Sequence, residues 1–304
     1  MEFKNQIPPF LKPGDTVGII SPSFAVEESV IVNGADLLRG WGLNVRTGAN
    51  VLKTQGPFAG TDEQRLSDIQ AFTSDPEIKA IFCSRGGYGM MRIIEKIDFS
   101  PLRKYPKWYV GFSDITVLHI WLSEKFNTAS VHGDMLLNCK NPEKSRATFE
   151  SLKNALFGNW EPVAWDSSPL RPGSIQGELT GGNLSLIHAM CAAKAPFRTR
   201  GKILFIEEVG EQLYHLDRMM VSLRKGGWLD DLAALVTGGF SKMEDTKRPW
   251  LITPEEIISD AVSDFSYPVL FNFPAGHIPD NRAFYIGREA EINLDGGKAT
   301  LAYL

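Results

Sequence analysis

The sequence predicts an α/β protein with a mainly parallel sheet in its first half and a second domain after it. In the first half, short strand-like runs alternate with longer runs of helical spacing, a rhythm that favours parallel strands covered by helices on both faces. Residues 159–173 then carry three prolines and two adjacent serines, a composition typical of a connection between domains. We therefore expect an N-terminal domain over 1–158 and a C-terminal domain over 174–304, because a chain of 304 residues can bury two cores.

The strands of the first half are short runs rich in β-branched and aromatic residues. We predict them at 16–21, 43–47, 78–83 and 108–112. Apolar residues at helical spacing predict helices at 26–42, 62–72, 90–97, 115–126 and 143–157. Thr61 precedes the second of these helices and is placed to cap its free N–H groups.

The second half opens on residues 177–183, which contain two adjacent glycines, and a small helix follows as far as Met190. Apolar runs predict strands at 202–207, 233–236, 269–273 and 289–301. Helical spacing predicts helices at 216–223 and 254–262.

Composition excludes several classes of function. The net charge is −4 and no long basic run occurs, so we expect no nucleic-acid partner. No apolar stretch is long enough to cross a bilayer, and the first ten residues lack the pattern of a signal peptide, so we expect no membrane partner either.

The cysteines indicate a compartment and argue against a metal site. Cys83, Cys139 and Cys191 are scattered and odd in number, as in proteins of a reducing compartment. No group of cysteines and histidines has zinc spacing. We expect a cytoplasmic protein without a metal or other cofactor.

Ser113 lies where an apolar strand turns directly into a helix. Such a serine can expose its hydroxyl beside free helix N–H groups, the geometry of a nucleophile elbow. The elbow pattern has glycine two residues before and two residues after the serine, and here Gly111 is present but Ile115 replaces the second. By itself this pattern favours a plain helix cap, with Asp114 at the positive helix end.

A serine nucleophile needs a base, and the chain has five histidines. His277 lies in a loop stiffened by two prolines after a predicted strand, where it serves either as a base or as a turn residue. His132 follows a predicted strand and is a rival base. The other three, for which packing, capping or surface roles are favoured, are His119, His188 and His215.

Two adjacent acidic residues, Glu207 and Glu208, end the strand at 202–207. Successive strand side chains point to opposite faces, so only one of the two can orient a histidine. Ser113, Glu207 and His277 each follow a predicted strand, and ligands of open α/β sheets bind outside the carboxyl ends of strands. The chain order Ser, Glu, His also occurs in a known class of serine hydrolases.

An oxyanion needs at least two donors, and the N–H groups of Asp114, Gly86 and Gly87 are candidates. The glycine-rich run 84–89 has two other interpretations. It is a phosphate cradle, although it lacks the endings of the known phosphate-binding motifs, or it is a tight turn.

Six stretches in register resemble the LD-carboxypeptidases (muramoyltetrapeptide carboxypeptidases, serine peptidase family S66). The resemblance spans about residues 11–292 and rests on the runs KPGD at 12–15, SRGGYG at 84–89, GFSD at 111–114, GELTGGN at 177–183, FIEE at 205–208 and GH at 276–277.

The resemblance implies a metal-free triad of Ser113, Glu207 and His277, with the oxyanion region at Asp114, Gly86 and Gly87. It implies an N-terminal α/β domain joined to a β-rich C-terminal domain, with the active site between them, and a homodimer. The implied reaction removes the terminal D-alanine from murein tetrapeptides during cell-wall recycling. Arg85 is then a candidate to grip the free carboxylate of the substrate, or else forms a structural ion pair.

Two other functions stay open. A related branch of the family hydrolyses peptidyl or aminoacyl adenylates as antibiotic self-immunity, and it needs an aromatic shelf, for which Trp228 and Trp250 are candidates. A non-catalytic protein that binds murein peptides or nucleotides is the other, and the presence of all three triad candidates argues against it.

Overall fold

The computed structural model describes residues 6–140, 146–167, 173–192 and 197–304. Its strands, in chain order, are β1 Thr16–Ile20, β2 Asn44–Thr47, β3 Ile78–Cys83, β4 Trp108–Gly111, β5 Ser130–His132, β6 Val163–Asp166, β7 Gly173–Asn183, β8 Ile203–Val209, β9 Ala234–Ser241, β10 Val269–Leu270, β11 Phe284–Ile286, β12 Arg288–Asp295 and β13 Lys298–Tyr303. Its helices are α1 Glu28–Gly40, α2 Asp62–Ser74, α3 Met90–Ile93, α4 Thr116–Phe126, α5 Arg146–Leu156, α6 Leu184–Ala192, α7 Leu213–Lys225 and α8 Pro254–Ala261.

The chain forms two compact units. The first comprises Met1–Trp160 and Arg282–Ile286, and the second comprises Glu161–Asn281 and Gly287–Leu304. This division confirms the predicted class, a two-domain α/β protein. Among the described residues, every helix is too short or too polar to cross a lipid bilayer.

The first unit is built on a six-stranded sheet with the order β11-β5-β4-β3-β1-β2. All neighbours in it are parallel except the edge strand β11, which runs antiparallel to β5. Strands β3 and β4 are almost wholly buried, as expected of central parallel strands with both faces covered. The ring of Trp108 on β4 lies against Tyr285 of β11, with 5.4 Å between ring centroids.

The second unit is built on a seven-stranded mixed sheet with the order β10-β9-β8-β7-β12-β13-β6. Strands β10 to β7 are parallel, and strands β7, β12, β13 and β6 pair antiparallel. The parallel half places the carboxyl ends of β8, β9 and β10 at one edge. Glu207 lies near the end of β8 at this edge.

Most predicted elements of the first half are confirmed within two residues of their ends. The strand 78–83 matches β3 at both ends, and Thr61 caps α2 through a reciprocal pair of hydrogen bonds with Gln64 of 3.2 and 3.0 Å. The helix predicted over 90–97 is shorter: α3 ends at Ile93 and a 3-10 turn continues the chain. Of the helix predicted over 143–157, residues 143–145 lie outside the described residues.

Strands of the second half differ more from the prediction. Residues 177–183, for which no element was predicted, belong to β7, and the long strand at 289–301 is a hairpin of β12 and β13 with a turn at Gly296 and Gly297. The strand at 269–273 ends after two residues, as β10. Strands β6 and β11 were not predicted, and β5 was expected only as a strand before His132, because runs of three or four residues are too short to show a period.

The predicted connection and C-terminal domain also differ from the structure. Residues 163–166 of the connection 159–173 form β6, which pairs with β13 because Trp165 is buried and donates to the Phe271 carbonyl at 2.9 Å. Residues 168–172 lie outside the described residues. Within 174–304, the segment Arg282–Ile286 belongs to the first unit, since Phe284, Tyr285 and Ile286 are fully buried there as β11.

We expect Thr61→Ala to destabilise the first unit by about 1 kcal/mol, because the hydroxyl satisfies a free N–H of α2. Urea unfolding followed by circular dichroism would measure the loss. The control is Thr61→Ser, which keeps the hydroxyl and should stay close to the wild type. An alanine variant as stable as the serine variant would contradict the role of the cap.

Candidate active site

Ser113 occupies a strained turn at the carboxyl end of a central strand of the first unit. Strand β4 ends at Gly111, Phe112 is extended, and a 3-10 turn over Ser113–Ile115 leads into α4. The φ angle of Ser113 is +62°, in the left-handed region that residues other than glycine rarely adopt. The turn begins without a side-chain cap, so Ser113 is not the helix cap that the pattern alone favours.

Packing holds this turn in place. Ile115 lies over Gly111, where a Cβ atom would come within 2.8 Å of the Ile115 Cγ1 atom. Gly111, the first glycine of the elbow pattern, therefore leaves space for Ile115, which replaces the second glycine. Ser113 is partly exposed, and within the first unit its Oγ atom has no hydrogen-bond partner among the described residues.

The glycine-rich turn lies directly against the serine. A Cβ atom on Gly86 would come within 3.0 Å of both Cβ and Oγ of Ser113. The next residue, Gly87, is exposed and has a φ of +110°. The structure thus brings together Ser113, Asp114 and the turn that carries the predicted oxyanion donors.

Arg85 is half-buried beside this turn. Its guanidinium lies over the ring of Phe24, 5.6 Å from the centroid, and donates to the Ala25 carbonyl at 3.3 Å. Among the described residues it forms no ion pair, so the structural ion pair considered for Arg85 is not formed there.

Two buried histidines support the first unit from within. His119 on α4 bonds through Nδ1 to the Ser130 hydroxyl and through Nε2 to the Gly111 carbonyl, each at 2.8 Å. Burial lowers the pKa of His119 to about 4. His132 is the last residue of β5 rather than following a strand; it is fully buried, with its ring stacked on Phe284 at 4.5 Å.

Glu207 and His277 form a hydrogen-bonded pair in the second unit. The Glu207 carboxylate is fully buried on β8, and its Oε2 atom accepts from Nδ1 of His277 at 2.7 Å and from the His277 backbone N–H at 3.1 Å. The His277 side chain is 20% exposed. A carboxylate bonded to Nδ1 fixes the tautomer and the ring orientation, and leaves Nε2 as the basic nitrogen.

Glycines of β9 bring the His277 loop close to the sheet. Opposite Glu207 the pairing of β8 and β9 is irregular, and Gly238 and Gly239 lie at this irregularity. A Cβ atom on Gly238 would come within 2.4 Å of the Ala275 carbonyl oxygen, and one on Gly239 within 2.2 Å of Ile278. Gly238 and Gly239 lie beyond the end of the strand predicted at 233–236, and adjacent glycines in a strand can signal such a close approach.

Asn281 and Ser241 fix the same loop by hydrogen bonds. The Asn281 side chain accepts from the Gly276 N–H at 2.9 Å, and the Ser241 hydroxyl donates to the His277 carbonyl at 2.8 Å. Neither residue was among the predicted site residues, because a lone asparagine or serine carries no pattern.

Glu208 points to the other face of β8, as strand alternation predicts for one member of the pair. Its carboxylate accepts from the Asn183 side chain at 2.9 Å and from the Ser185 N–H at 2.8 Å, at the start of α6. Burial raises the pKa of Glu208. It serves as a helix cap, and Glu207 is the carboxylate that orients a histidine.

The remaining candidates have other neighbours. His188 bonds to the Ser222 hydroxyl at 3.1 Å, and His215 to Glu211 at 2.7 Å. Trp228 stacks on the buried ring of Phe197, with 5.6 Å between centroids, so one face of this ring is covered. The backbone N–H of Trp250 bonds to Asp245.

Comparison with known proteins shows the family of this chain. The family model for the LD-carboxypeptidase N-terminal domain matches residues 17–133, and the model for the LD-carboxypeptidase C-terminal domain matches residues 176–292. The chain belongs to the LD-carboxypeptidase family. Ser113 and the glycine-rich turn lie in the first match, and Glu207 and His277 lie in the second. The predicted family and the predicted enzyme class, a carboxypeptidase, are confirmed.

Relatives of this LD-carboxypeptidase cover nearly its whole length. A probable murein peptide carboxypeptidase of Bacillus subtilis is 35% identical over 95% of this chain and 92% of its own. The crystal structure of muramoyltetrapeptide carboxypeptidase from Oxalobacter formigenes has a TM-score of 0.85 at 28% identity, covering 94% of this chain and 97% of that one. The microcin C7 self-immunity protein of Escherichia coli is 23% identical over 94% of this chain and 92% of its own.

The buried imidazole of His119 predicts a loss of stability in acid. Its pKa is lower in the folded protein than the ordinary value of 6.5, so the unfolded chain binds the proton first as the pH falls. From pH 7.5 to pH 5 this costs about 2 kcal/mol of the free energy of unfolding. Urea midpoints at the two pH values should differ less in His119→Gln than in the wild type, and equal differences would contradict this role.

Gly276→Ala is expected to break the pair of Glu207 and His277. Gly276 has a φ of +102°, and a Cβ atom there would lie 2.7 Å from the Glu207 Oε2 atom. We expect peptidase turnover to fall by about 10²-fold or more if His277 is the base, by analogy with the groups that orient the histidine of serine proteases. The control is Gly297→Ala, which has a φ of +83° but no neighbour within 4 Å of the new Cβ. Equal activity of the two variants would show that a clash between the new Cβ atom and Glu207 does not lower turnover.

Proposed function

We propose that this LD-carboxypeptidase is a serine hydrolase that cleaves the L,D-peptide bond to the terminal D-alanine of murein tetrapeptides during cell-wall recycling. The observation that carries the proposal is the pair of Glu207 and His277, with 2.7 Å between carboxylate and imidazole. A buried carboxylate on Nδ1 makes the opposite nitrogen a base and stabilises the imidazolium that forms when this base takes a proton.

Ser113 is the proposed nucleophile. Nε2 of His277 accepts the proton from the Ser113 hydroxyl as its oxygen attacks the carbonyl carbon of the scissile bond. The same nitrogen then returns the proton to the departing amino group of D-alanine. Water, activated by His277 in the same way, hydrolyses the acyl-enzyme. The strained φ angle and partial exposure of Ser113 support this role.

Asp114, Gly86 and Gly87 are proposed to stabilise the oxyanion through their backbone N–H groups. The position of Gly86, against the Oγ atom of Ser113, supports this assignment. Each such donor contributes about 10²–10³-fold to turnover in serine hydrolases. Arg85 is proposed to bind the free carboxylate of the substrate, because it lies beside this turn and forms no ion pair among the described residues.

The names of the relatives support the substrate. The relatives from Bacillus subtilis and Oxalobacter formigenes are named for murein peptides and for muramoyltetrapeptide. Hydrolysis of aminoacyl adenylates is the alternative, favoured by the 23% identity to the microcin C7 self-immunity protein. The higher identity to the murein carboxypeptidase favours the first substrate. A cytoplasmic location and a homodimer are proposed from the family resemblance alone.

Mass spectrometry of a murein tetrapeptide incubated with the protein tests the function. We expect the wild type to release D-alanine and leave a tripeptide, and we expect Ser113→Ala to lower turnover by about 10⁶-fold. Ser100→Ala is the control, because this exposed serine of the same unit bonds only to Asp98 among the described residues.

A matched incubation with an aminoacyl sulfamoyl adenosine as competitor separates the alternatives. Hydrolysis of the aminoacyl sulfamoyl adenosine, with no cleavage of the murein tetrapeptide, would support the self-immunity activity. Cleavage of the tetrapeptide by Ser113→Ala at a rate within tenfold of the wild type would end the proposal of a serine nucleophile.

A further inference from the structure

The side chain of Asp114 joins two loops next to the nucleophile. It is fully buried, and its Oδ2 atom accepts from the Ser23 hydroxyl at 2.6 Å and from the Met90 backbone N–H at 2.8 Å. Ser23 lies in the loop after β1, and Met90 follows the glycine-rich turn. One carboxylate oxygen therefore connects both loops to the residue that follows Ser113.

Arg65 joins the same two loops through their carbonyl groups. This side chain of α2 is fully buried, and its Nη1 atom donates to the Pro22 carbonyl at 2.6 Å and to the Gly89 carbonyl at 3.0 Å. Pro22 and Ser23 are neighbours, as are Gly89 and Met90. Arg65 therefore binds the carbonyl groups of Pro22 and Gly89, and Asp114 binds the residue that follows each of them.

The two loops touch where they are held. Gly89 has a φ of +146°, and a Cβ atom there would come within 3.2 Å of the Ser23 Cα atom and 2.5 Å of the Arg65 Nη1 atom. Only glycine allows this approach. The glycine-rich turn is therefore fixed at its end by contacts with Ser23, Arg65 and Asp114.

We propose that Asp114 and Arg65 are positioning residues that clamp the glycine-rich turn against the serine turn. The clamp rests on the proposed function, since the groups that it aligns are the oxyanion donors of Gly86, Gly87 and Asp114. These donors come from two separate segments, and an oxyanion is stabilised only when they point at one place. The clamp connects the two segments through the side chain of Asp114, whose backbone N–H is itself one of the proposed donors.

The charge of Asp114 is the competing explanation. A buried carboxylate next to the nucleophile could act through its field, and burial raises the pKa of Asp114 because a negative charge is unfavourable there. The clamp needs only an acceptor oxygen, because both described hydrogen bonds end on Oδ2. Asparagine supplies such an oxygen without the charge, and alanine supplies neither.

The test compares Asp114→Asn, Asp114→Ala and Ser23→Ala by kinetics on the murein tetrapeptide. We expect Asp114→Ala to lower kcat by about 10²-fold, as much as the loss of one oxyanion donor, because the donors are no longer aligned, with KM changed only a few-fold. Asp114→Asn should be at least tenfold more active than Asp114→Ala, and Ser23→Ala should fall between the wild type and Asp114→Ala. The control is Thr73→Val, which removes another fully buried hydroxyl of the same unit, bonded to Tyr109.

Hydrogen exchange on the same variants separates the clamp from the function. Peptides that cover residues 86–93 should exchange faster in Asp114→Ala than in the wild type or Thr73→Val, because Met90 loses its acceptor. Faster exchange with a wild type that does not cleave the tetrapeptide would support the clamp and end the proposed function. Unchanged exchange, or equal loss of kcat in the asparagine and alanine variants, would overturn the clamp.

Discussion

The hydrogen bond between Glu207 and His277 is the interaction on which the candidate chemistry depends. A fully buried carboxylate is costly unless it is bonded, and the two donors that satisfy Oε2 both belong to His277. This requirement fixes the loop as well as the ring, because one of the donors is the backbone N–H. Gly276 leaves the space that the carboxylate occupies, and Asn281 holds the Gly276 N–H in turn.

The first unit solves a different problem, since it must hold a serine at an unfavourable φ angle. A left-handed serine costs on the order of 1–3 kcal/mol, and it persists only where the surroundings determine it. Here Ile115 closes over Gly111 from one side, and His119 holds the Gly111 carbonyl from the other. Packed neighbours of the turn therefore maintain the strained conformation of Ser113. The serine side chain itself forms no hydrogen bond to a described residue of its unit.

Much of this arrangement could be predicted from the sequence, and the rest could not for physical reasons. Local patterns predicted β3, the cap at Thr61 and the turn at Ser113, because each depends on neighbours in the chain. The bonds of Asp114 to Ser23 and Met90 join residues 91 and 24 positions apart, and no local period records such pairs. The short strand β11 was not predicted for the same reason, since its burial depends on its pairing with β5.

The two adjacent glutamates show how far a single physical rule reaches. Alternation along a strand requires Glu207 and Glu208 to face opposite ways, and this much follows from the sequence. Which of them meets the histidine depends on what each face contains: the start of α6 on one side, and the loop admitted by Gly238 and Gly239 on the other. A shift of the strand by one residue would exchange these environments, so the irregular pairing of β8 with β9 at Glu207 is part of what defines the candidate site.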